Sequence, residues 1–231
     1  MGDGHLPVPQ AQSGAAAMCA ATQEMGCELA DFEPCDMPAV RAPRGGGPGE
    51  LVQIATRTDL PLVLETLGLG EGVGIELGVA RGTFSQQLLR LSRLRVLYSV
   101  DMWAGDKKER GLKAYKEIIA KMTPFGHRSV LLKMKFEEAL DLFPDEFFDF
   151  MYIDGYAGTG NDGGKTYRQW ISKLKPGGLI AGDDYHKQWK GVVENVDKLA
   201  QEYGLKLYTT QADGADVSHK YSSWYAQKPA A

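Results

Sequence analysis

From Leu51 onward, short apolar segments alternate with amphipathic segments of helical period, and this alternation restricts the possible folds more than any other feature of the chain. The segments "GVGIELG", "RVLYSVD", "RSVLLKMK", "FDFMYID" and "GLIAGDDY" predict five strands. Segments between them, such as "GTFSQQLLRLSR" with Phe84, Leu88 and Leu91 on one face, predict helices. Parallel strands need such crossover connections. The pattern therefore predicts an α/β fold in which helices cover both faces of a parallel sheet.

The C-terminal part of the sequence breaks this alternation. The segments "LKLYTTQ" and "KYSSWYAQK" both have strand character, and only "ADGADVSH" separates them. A helical crossover needs more residues than this, so the two segments should pair as an antiparallel hairpin. We therefore expect a doubly wound, Rossmann-like sheet of seven strands that is mostly parallel and carries an antiparallel C-terminal strand.

The composition is that of a globular protein, because 43% of the 231 residues are hydrophobic and 24% are charged. The net charge of −4 gives no basic surface for nucleic acid, and no apolar run approaches the roughly 20 residues that span a bilayer. The three cysteines Cys19, Cys27 and Cys35 are odd in number and include no C-x-x-C pair. They predict reduced thiols and a cytoplasmic protein.

A glycine- and proline-rich segment, "RAPRGGGPGE", immediately precedes the alternating pattern. This composition favours a flexible linker. We therefore predict a flexible N-terminal extension over residues 1–50 and a single domain over residues 51–231.

Four of the five predicted parallel strands end at acidic residues, which are Glu76, Asp101, Asp154 and the pair Asp183 and Asp184. In open parallel sheets, ligands bind beyond the carboxyl ends of the strands. We therefore expect these carboxylates to converge on one site. At any single position, an aspartate that caps a helix or favours a turn is an equally good explanation, but that explanation does not account for the whole set.

The first strand leads into "ELGVARGTFS", which combines a carboxylate with two glycines. Sites for nicotinamide dinucleotides place G-x-G-x-x-G after this strand so that backbone amides face a pyrophosphate. Here Gly78 and Gly82 are spaced as G-x-x-x-G, and Glu76 would repel a pyrophosphate but attract an ammonium or sulfonium group. Asp101 ends the next strand, where it can accept hydrogen bonds from ribose hydroxyls. S-adenosylmethionine, a cationic nucleoside amino acid, satisfies both requirements.

The order of motifs resembles that of the class I S-adenosylmethionine-dependent methyltransferases, and within them the group that acts on small molecules. The matching segments are "ELGVARGTFS", "VDMW", "DFMYIDG", "LKPGG", "DDY" and "SSWYAQK". The resemblance implies a cofactor site formed by Glu76, Gly78, Val79, Gly82, Thr83, Phe84, Ser85, Asp101, Met102, Trp103, Lys135, Phe136 and Asp154. Relatives often carry a small polar residue where Phe136 stands, so Phe136 either contacts the adenine or packs in the core.

The resemblance also implies a candidate metal site at Asp154, Asp183 and Asp184. Their carboxylates end adjacent strands and offer the oxygen ligands that Mg²⁺ prefers. In similar metal-dependent O-methyltransferases, a divalent cation lowers the pKa of the acceptor hydroxyl and aligns it with the methyl group. In many other relatives, the first aspartate contacts the amino group of the cofactor instead, and Asp184 would then only cap a turn.

Relatives often carry a catalytic base two to four positions after the aspartate of "IDG", but "IDGYAGTGNDGG" departs from that pattern. His186 is the remaining candidate, because a neutral imidazole accepts protons near pH 7. We therefore assign the catalytic role to His186 together with Asp154. A surface histidine that follows a strand is the alternative.

These observations predict an enzyme that transfers a methyl group from S-adenosylmethionine to a hydroxyl oxygen of a small-molecule acceptor. The alternatives are a metal-independent N- or O-methyltransferase and a non-catalytic protein that retains the fold, since a fold does not fix a function. We expect no nucleic-acid or membrane partner, and a homodimer is a candidate assembly.

Overall fold

The computed structural model describes residues 49–104, 108–154, 161–210 and 221–230, without the side chains of residues 108–110. Seven strands lie in these ranges: β1 (Val73–Leu77), β2 (Val96–Asp101), β3 (Ser129–Lys133), β4 (Phe148–Ile153), β5 (Leu174–Gly182), β6 (Tyr208–Thr209) and β7 (Trp224–Gln227). The α-helices are α1 (Leu60–Thr66), α2 (Thr83–Leu91), α3 (Lys108–Met122), α4 (Phe136–Leu140), α5 (Lys165–Trp170) and α6 (Lys190–Tyr203). The predicted extension, up to residue 48, and the three cysteines lie outside the described residues.

The seven strands form one sheet in the order β3-β2-β1-β4-β5-β7-β6. Strands β1 to β5 pair in parallel, whereas β7 pairs antiparallel with both β5 and β6. The strand order reverses between β1 and β4, which is where open α/β sheets bind ligands. The predicted Rossmann-like fold and its antiparallel C-terminal strand are both confirmed.

The sheet is buried on both faces by two separate hydrophobic clusters. In β4, Met151 and Ile153 belong to the cluster that also contains side chains of α4, α5 and α6. The alternate residues Phe150 and Tyr152 belong to the cluster that contains side chains of α1, α2 and α3. Side chains alternate between the two faces of a strand, so a central parallel strand must be apolar on both. This explains why the strand segments lack an alternating polar pattern.

The sequence "KTYRQWISKLKPGG" predicts a single helix that ends at Pro176 and the glycines, but the structure divides this segment differently. Helix α5 already ends at Trp170, a 3₁₀ turn covers Ile171–Lys173, and β5 begins at Leu174. The register between β4 and β5 shifts here, since Phe148 pairs with Leu174 but Phe150 pairs with Leu179. Proline is tolerated in a strand at such an irregularity, because no ladder hydrogen bond is required from it.

Within the described ranges, no helix is both long enough and apolar enough to cross a bilayer.

Candidate functional site

The turn that joins β1 to α2 is built from left-handed backbone. Gly78, Ala80 and Gly82 have φ angles of +89°, +49° and +69°. At Gly82, a Cβ atom would also lie 2.6 Å from Cγ1 of Ile118 in α3. Both the conformation and the available space therefore require glycine at this position. The result is a tight turn that brings the N-terminus of α2, whose first N–H groups have no partner within the helix, to the carboxyl edge of the sheet.

Asp101 fixes this turn against the end of β2. Its Oδ2 accepts hydrogen bonds from the backbone N–H groups of Val79 at 3.0 Å and Ala80 at 2.9 Å. Its Oδ1 accepts one from the N–H group of Trp103 at 2.8 Å, and the indole Nε1 of Trp103 donates to the carbonyl oxygen of Ala80 at 2.8 Å. A carboxylate has about four acceptor positions. Asp101 can therefore hold the turn and still accept a hydrogen bond from a ligand hydroxyl.

Glu76 lies beneath the same turn, with only 2% of its surface exposed. Its carboxylate accepts a hydrogen bond from Oγ of Ser85 in α2. Burial raises the pKa of Glu76 to about 8, against the opposing effects of the Ser85 hydrogen bond and the charge of Arg57. The carboxyl already has a partner inside the protein and stays protonated at neutral pH while the turn is empty, so a cationic ligand would have to favour its ionisation in order to gain a charge contact.

The buried Glu76 should make the stability of the ligand-free protein depend on pH. In the folded protein Glu76 keeps its proton up to about pH 8, whereas its ordinary pKa is 4.5. The unfolded state therefore binds fewer protons between these pH values, so the free energy of unfolding should fall as the pH rises through this window. Glu76→Gln keeps the size of the side chain and cannot ionise. Urea unfolding at several pH values should show a shallower decline for this variant, and equal slopes would contradict the raised pKa.

A buried guanidinium lies among the acidic residues that end β4 and β5. Arg57, in the 3₁₀ turn Arg57–Asp59 before α1, is 8% exposed. Its Nη1 donates to Oδ2 of Asp183 at 2.9 Å and to the Tyr152 hydroxyl at 3.0 Å, and it lies 3.7 Å from Oδ2 of Asp154. The guanidinium carbon is 4.7 Å from the centre of the Phe84 ring, within the range of a cation–π contact. Arg57 therefore links the acidic strand ends to the first turn of α2.

Sequence reasoning missed Arg57. The residue precedes the first helix and is separated by 126 positions from Asp183, to which it donates. The only local signal is the capping pattern around it, in which the backbone N–H of Thr56 donates to Oδ2 of Asp59 at 3.0 Å. That pattern predicts a helix start, but it gives no indication that the enclosed arginine is functional.

Asp183 and Asp184 have different environments although they are adjacent. Asp183 accepts hydrogen bonds from Arg57 at 2.9 Å and from Oγ of Ser223 at 3.0 Å. Asp184 has a left-handed backbone with φ of +61°. Partial burial and the charges of Asp183 and Asp154 raise the pKa of Asp184 to about 7. The pair therefore presents one carboxylate that is committed to an ion pair and one that resists ionisation.

The predicted metal ligands Asp154, Asp183 and Asp184 do not fit a divalent ion in this arrangement. They end adjacent strands as expected, since Ile153 is paired with Gly182. The guanidinium of Arg57, however, already bonds Asp183 and lies close to Asp154. Across the parts of the chain that the structure describes, no group of three or more histidine, cysteine, aspartate or glutamate residues could hold a metal ion.

His186, the predicted base, lies just beyond β5. Its Nδ1 accepts a hydrogen bond from the backbone N–H of Gln188 at 3.2 Å, and its ring centre is 4.8 Å from that of Tyr221. A neutral imidazole that accepts at Nδ1 carries its proton on Nε2. The lone pair that a base would use is therefore engaged, and the catalytic role of His186 stays a prediction that this geometry does not favour.

The other predicted cofactor residues lie at the same edge of the sheet. The Thr83 hydroxyl lies 3.2 Å from Nζ of Lys121, which donates to it, and Met102 is 46% exposed directly after β2. Lys135 caps α4 after β3. Phe136 packs, partly buried, against the cluster beneath α4, α5 and α6. This contact agrees with the packing alternative for Phe136, and the exposed part of the ring leaves the adenine contact open.

Comparisons with known sequences find similarity in the central part of the chain. A family model described as a methyltransferase domain matches residues 75–185, which run from β1 to just beyond β5. An uncharacterized protein of Sinorhizobium fredii is 27% identical over 114 residues, which are 48% of this chain and 12% of that protein. The chain therefore corresponds to a small part of that relative.

Solved structures share the fold. An O-methyltransferase from Bacillus cereus in complex with SAH gives a TM-score of 0.55 over 74% of this chain and 79% of that chain, at 18% identity. Cofactor-bound Rv0187 from MTB gives 0.56 over 79% and 85%, at 16% identity. The N-methyltransferase NodS from Bradyrhizobium japonicum WM9 gives 0.53 over 75% and 94%, at 19% identity. At these identities the similarity establishes the architecture and leaves the chemistry to be argued from the site.

Proposed function

Because a model of the methyltransferase domain matches residues 75–185, we propose that the protein transfers a methyl group from S-adenosylmethionine to a hydroxyl oxygen of a small molecule. The observation that carries the proposal is the contact set of Asp101. This carboxylate holds the β1–α2 turn through Val79 and Ala80 and retains acceptor capacity for the hydroxyls of a ribose. A turn fixed in this way is organised before the ligand arrives.

Each part of the cofactor would meet a different group of residues. Asp101 would accept hydrogen bonds from the ribose, beside Met102, Trp103, Lys135 and Phe136. The N–H groups at the start of α2, in Thr83, Phe84 and Ser85, would face the carboxylate of the methionine part, and Gly78, Val79 and Gly82 would line its path. Asp154 would supply negative charge towards the ammonium and sulfonium groups, and Glu76 would add to it only when the cationic ligand draws the proton from its carboxyl.

Methyl transfer requires little chemical activation by the protein itself. The sulfonium of the bound cofactor supplies an already activated methyl group, so the residues of the site act by alignment and by exclusion of water. The rigid turn between Gly78 and Gly82 and the buried contacts of Arg57 serve this alignment. In this proposal the acceptor lies beyond β4 and β5, next to Asp154 and Asp184.

The similar structures support the choice of acceptor atom. The Bacillus cereus structure is that of an O-methyltransferase, which favours oxygen. A nitrogen acceptor is the second candidate, because NodS is an N-methyltransferase.

A homodimer stays a prediction, which light scattering after gel filtration would test.

Calorimetry with S-adenosylmethionine tests the proposal directly. We expect one binding site per chain, and we expect S-adenosylhomocysteine to compete for it. NAD⁺ serves as the control, because the G-x-x-x-G spacing differs from the G-x-G-x-x-G that places backbone amides around a pyrophosphate. A screen of phenols, alcohols and amines with methyl-labelled cofactor then identifies the acceptor atom. Absence of binding at millimolar cofactor would refute the enzymatic proposal, and labelling of amines alone would select the nitrogen alternative.

A further inference from the structure

We propose that the guanidinium of Arg57 is the built-in cation of this site, and that it takes the place between Asp154 and Asp183 that a divalent ion would need. Cofactor binding and methyl transfer would then proceed without a metal ion. This inference rests on the proposed function, which it deepens by assigning the source of positive charge at the carboxyl ends of β4 and β5.

Arg57 is held in this place from several sides. The capping contact from Thr56 to Asp59 fixes the backbone of its turn. Nη1 donates to Asp183 and to Tyr152, and Tyr152 is itself completely buried. The guanidinium lies over the Phe84 ring, whose centre is 4.2 Å from that of Tyr152. A guanidinium with two hydrogen bonds and an aromatic face beneath it has little freedom to move aside.

The charge of Arg57 suits the role of a permanent cation. Arginine does not lose its proton in proteins, and here the charge lies 2.9 Å from Asp183 and 3.7 Å from Asp154. An incoming divalent ion would have to displace it from Asp183, which would leave a buried guanidinium without its compensating carboxylate. Because the guanidinium is part of the chain, it does not dissociate from the protein. It therefore competes with a divalent ion for Asp183 at every metal concentration.

Arg57 is thus a positioning residue rather than a catalytic one. It orients Asp183 and Asp154 on the acceptor side, and it contacts Phe84 in the helix turn on the cofactor side. The two halves of the site are therefore connected through one side chain.

Titration with Mn²⁺, followed by electron paramagnetic resonance, tests the assignment because Mn²⁺ shares the oxygen ligands of Mg²⁺. We expect Arg57→Ala to bind Mn²⁺ at least about tenfold more tightly than the wild type, since it removes a positive charge that repels the ion and competes with it for Asp183 and Asp154. The matched control is Arg93→Ala, which removes the same charge from an exposed ion pair with Glu65 and should leave Mn²⁺ binding unchanged. Equal Mn²⁺ affinities for the wild type and Arg57→Ala would overturn the proposal.

Two further measurements keep the test decisive if Arg57→Ala unfolds. Arg57→Lys retains a cation and should bind Mn²⁺ as weakly as the wild type, so tight binding by this variant would contradict the role of the charge. Calorimetry of the wild type should give the same S-adenosylmethionine affinity with chelator and with millimolar Mg²⁺. Loss of binding in chelator alone would overturn the metal-free assignment, whereas absence of binding in both buffers would refute the proposed function itself.

Discussion

Replacement of Asp101 by alanine should weaken the binding of S-adenosylmethionine by at least about 100-fold, which corresponds to about 2.7 kcal/mol. The carboxylate accepts hydrogen bonds from the N–H groups of Val79, Ala80 and Trp103. Hydrogen bonds to a charged group contribute about 1.5–3 kcal/mol each. Their loss should release the β1–α2 turn and remove the proposed ribose contact in the same step. Calorimetry gives the affinity, and urea unfolding should show a loss of about 2–4 kcal/mol in stability.

Asp101→Asn is the matched control for this experiment. The amide has the same shape but accepts hydrogen bonds at only one of its two terminal atoms. It can therefore keep part of the contacts to the turn, and its binding should fall between those of the wild type and Asp101→Ala. Wild-type cofactor affinity in Asp101→Ala would contradict both the ribose contact and the importance of the organised turn.

Gly111→Ala should destabilise the protein, although alanine normally stabilises the interior of a helix by about 0.5–1 kcal/mol relative to glycine. In α3, a Cβ atom at Gly111 would lie 2.2 Å from the carbonyl oxygen of Trp103. The obstacle is backbone, so either the helix or the end of β2 must shift. Trp103 has a left-handed φ of +45°, and its backbone N–H group donates a hydrogen bond to Asp101. The shift should therefore also reach the β1–α2 turn that Asp101 holds. We expect a loss of about 1–3 kcal/mol, together with weaker cofactor binding.

Lys113→Ala provides the comparison for the glycine variant, because Lys113 is exposed on the same helix. Its effect on unfolding should remain within about 0.5 kcal/mol. Thermal and urea unfolding of the two variants decide the point. A gain of stability in Gly111→Ala would show that α3 can move away from Trp103 without cost.

The sequence was informative wherever a feature depends on local periodicity. The apolar period located β1 to β5, and the short spacing before "KYSSWYAQK" predicted the antiparallel pairing that β7 makes with β6. The strand ends Asp101, Asp154 and Asp183 were also predictable, since the carboxyl ends of parallel strands share one edge. The start of β5 could not be predicted. The strand extends back through Pro176 because Leu174 pairs with β4 across a register shift.

The features that escaped prediction depend on contacts between distant parts of the chain. The acidic strand ends suggested a metal ion as their cation. The cation that the structure places there, Arg57, could not be predicted because it lies in a turn 126 residues before Asp183. The burial of Glu76 and its hydrogen bond from Ser85 could not be predicted, because they arise only when α2 packs on β1. The hydrogen bond from the backbone of Gln188 to His186 is likewise a property of the folded loop, and the catalytic role of His186 stays a prediction.

The position of β7 has a consequence for the order of folding. β7 follows β6 in the chain but lies between β5 and β6 in the sheet. During synthesis, the outer edge of β5 therefore has no partner until Trp224–Gln227 has emerged, and open strand edges are prone to pair with other chains. Ser223, the residue before β7, also donates to Asp183 at 3.0 Å. The same docking event thus covers the open edge of β5 and completes the polar network around Arg57, so a nascent chain gains both features together.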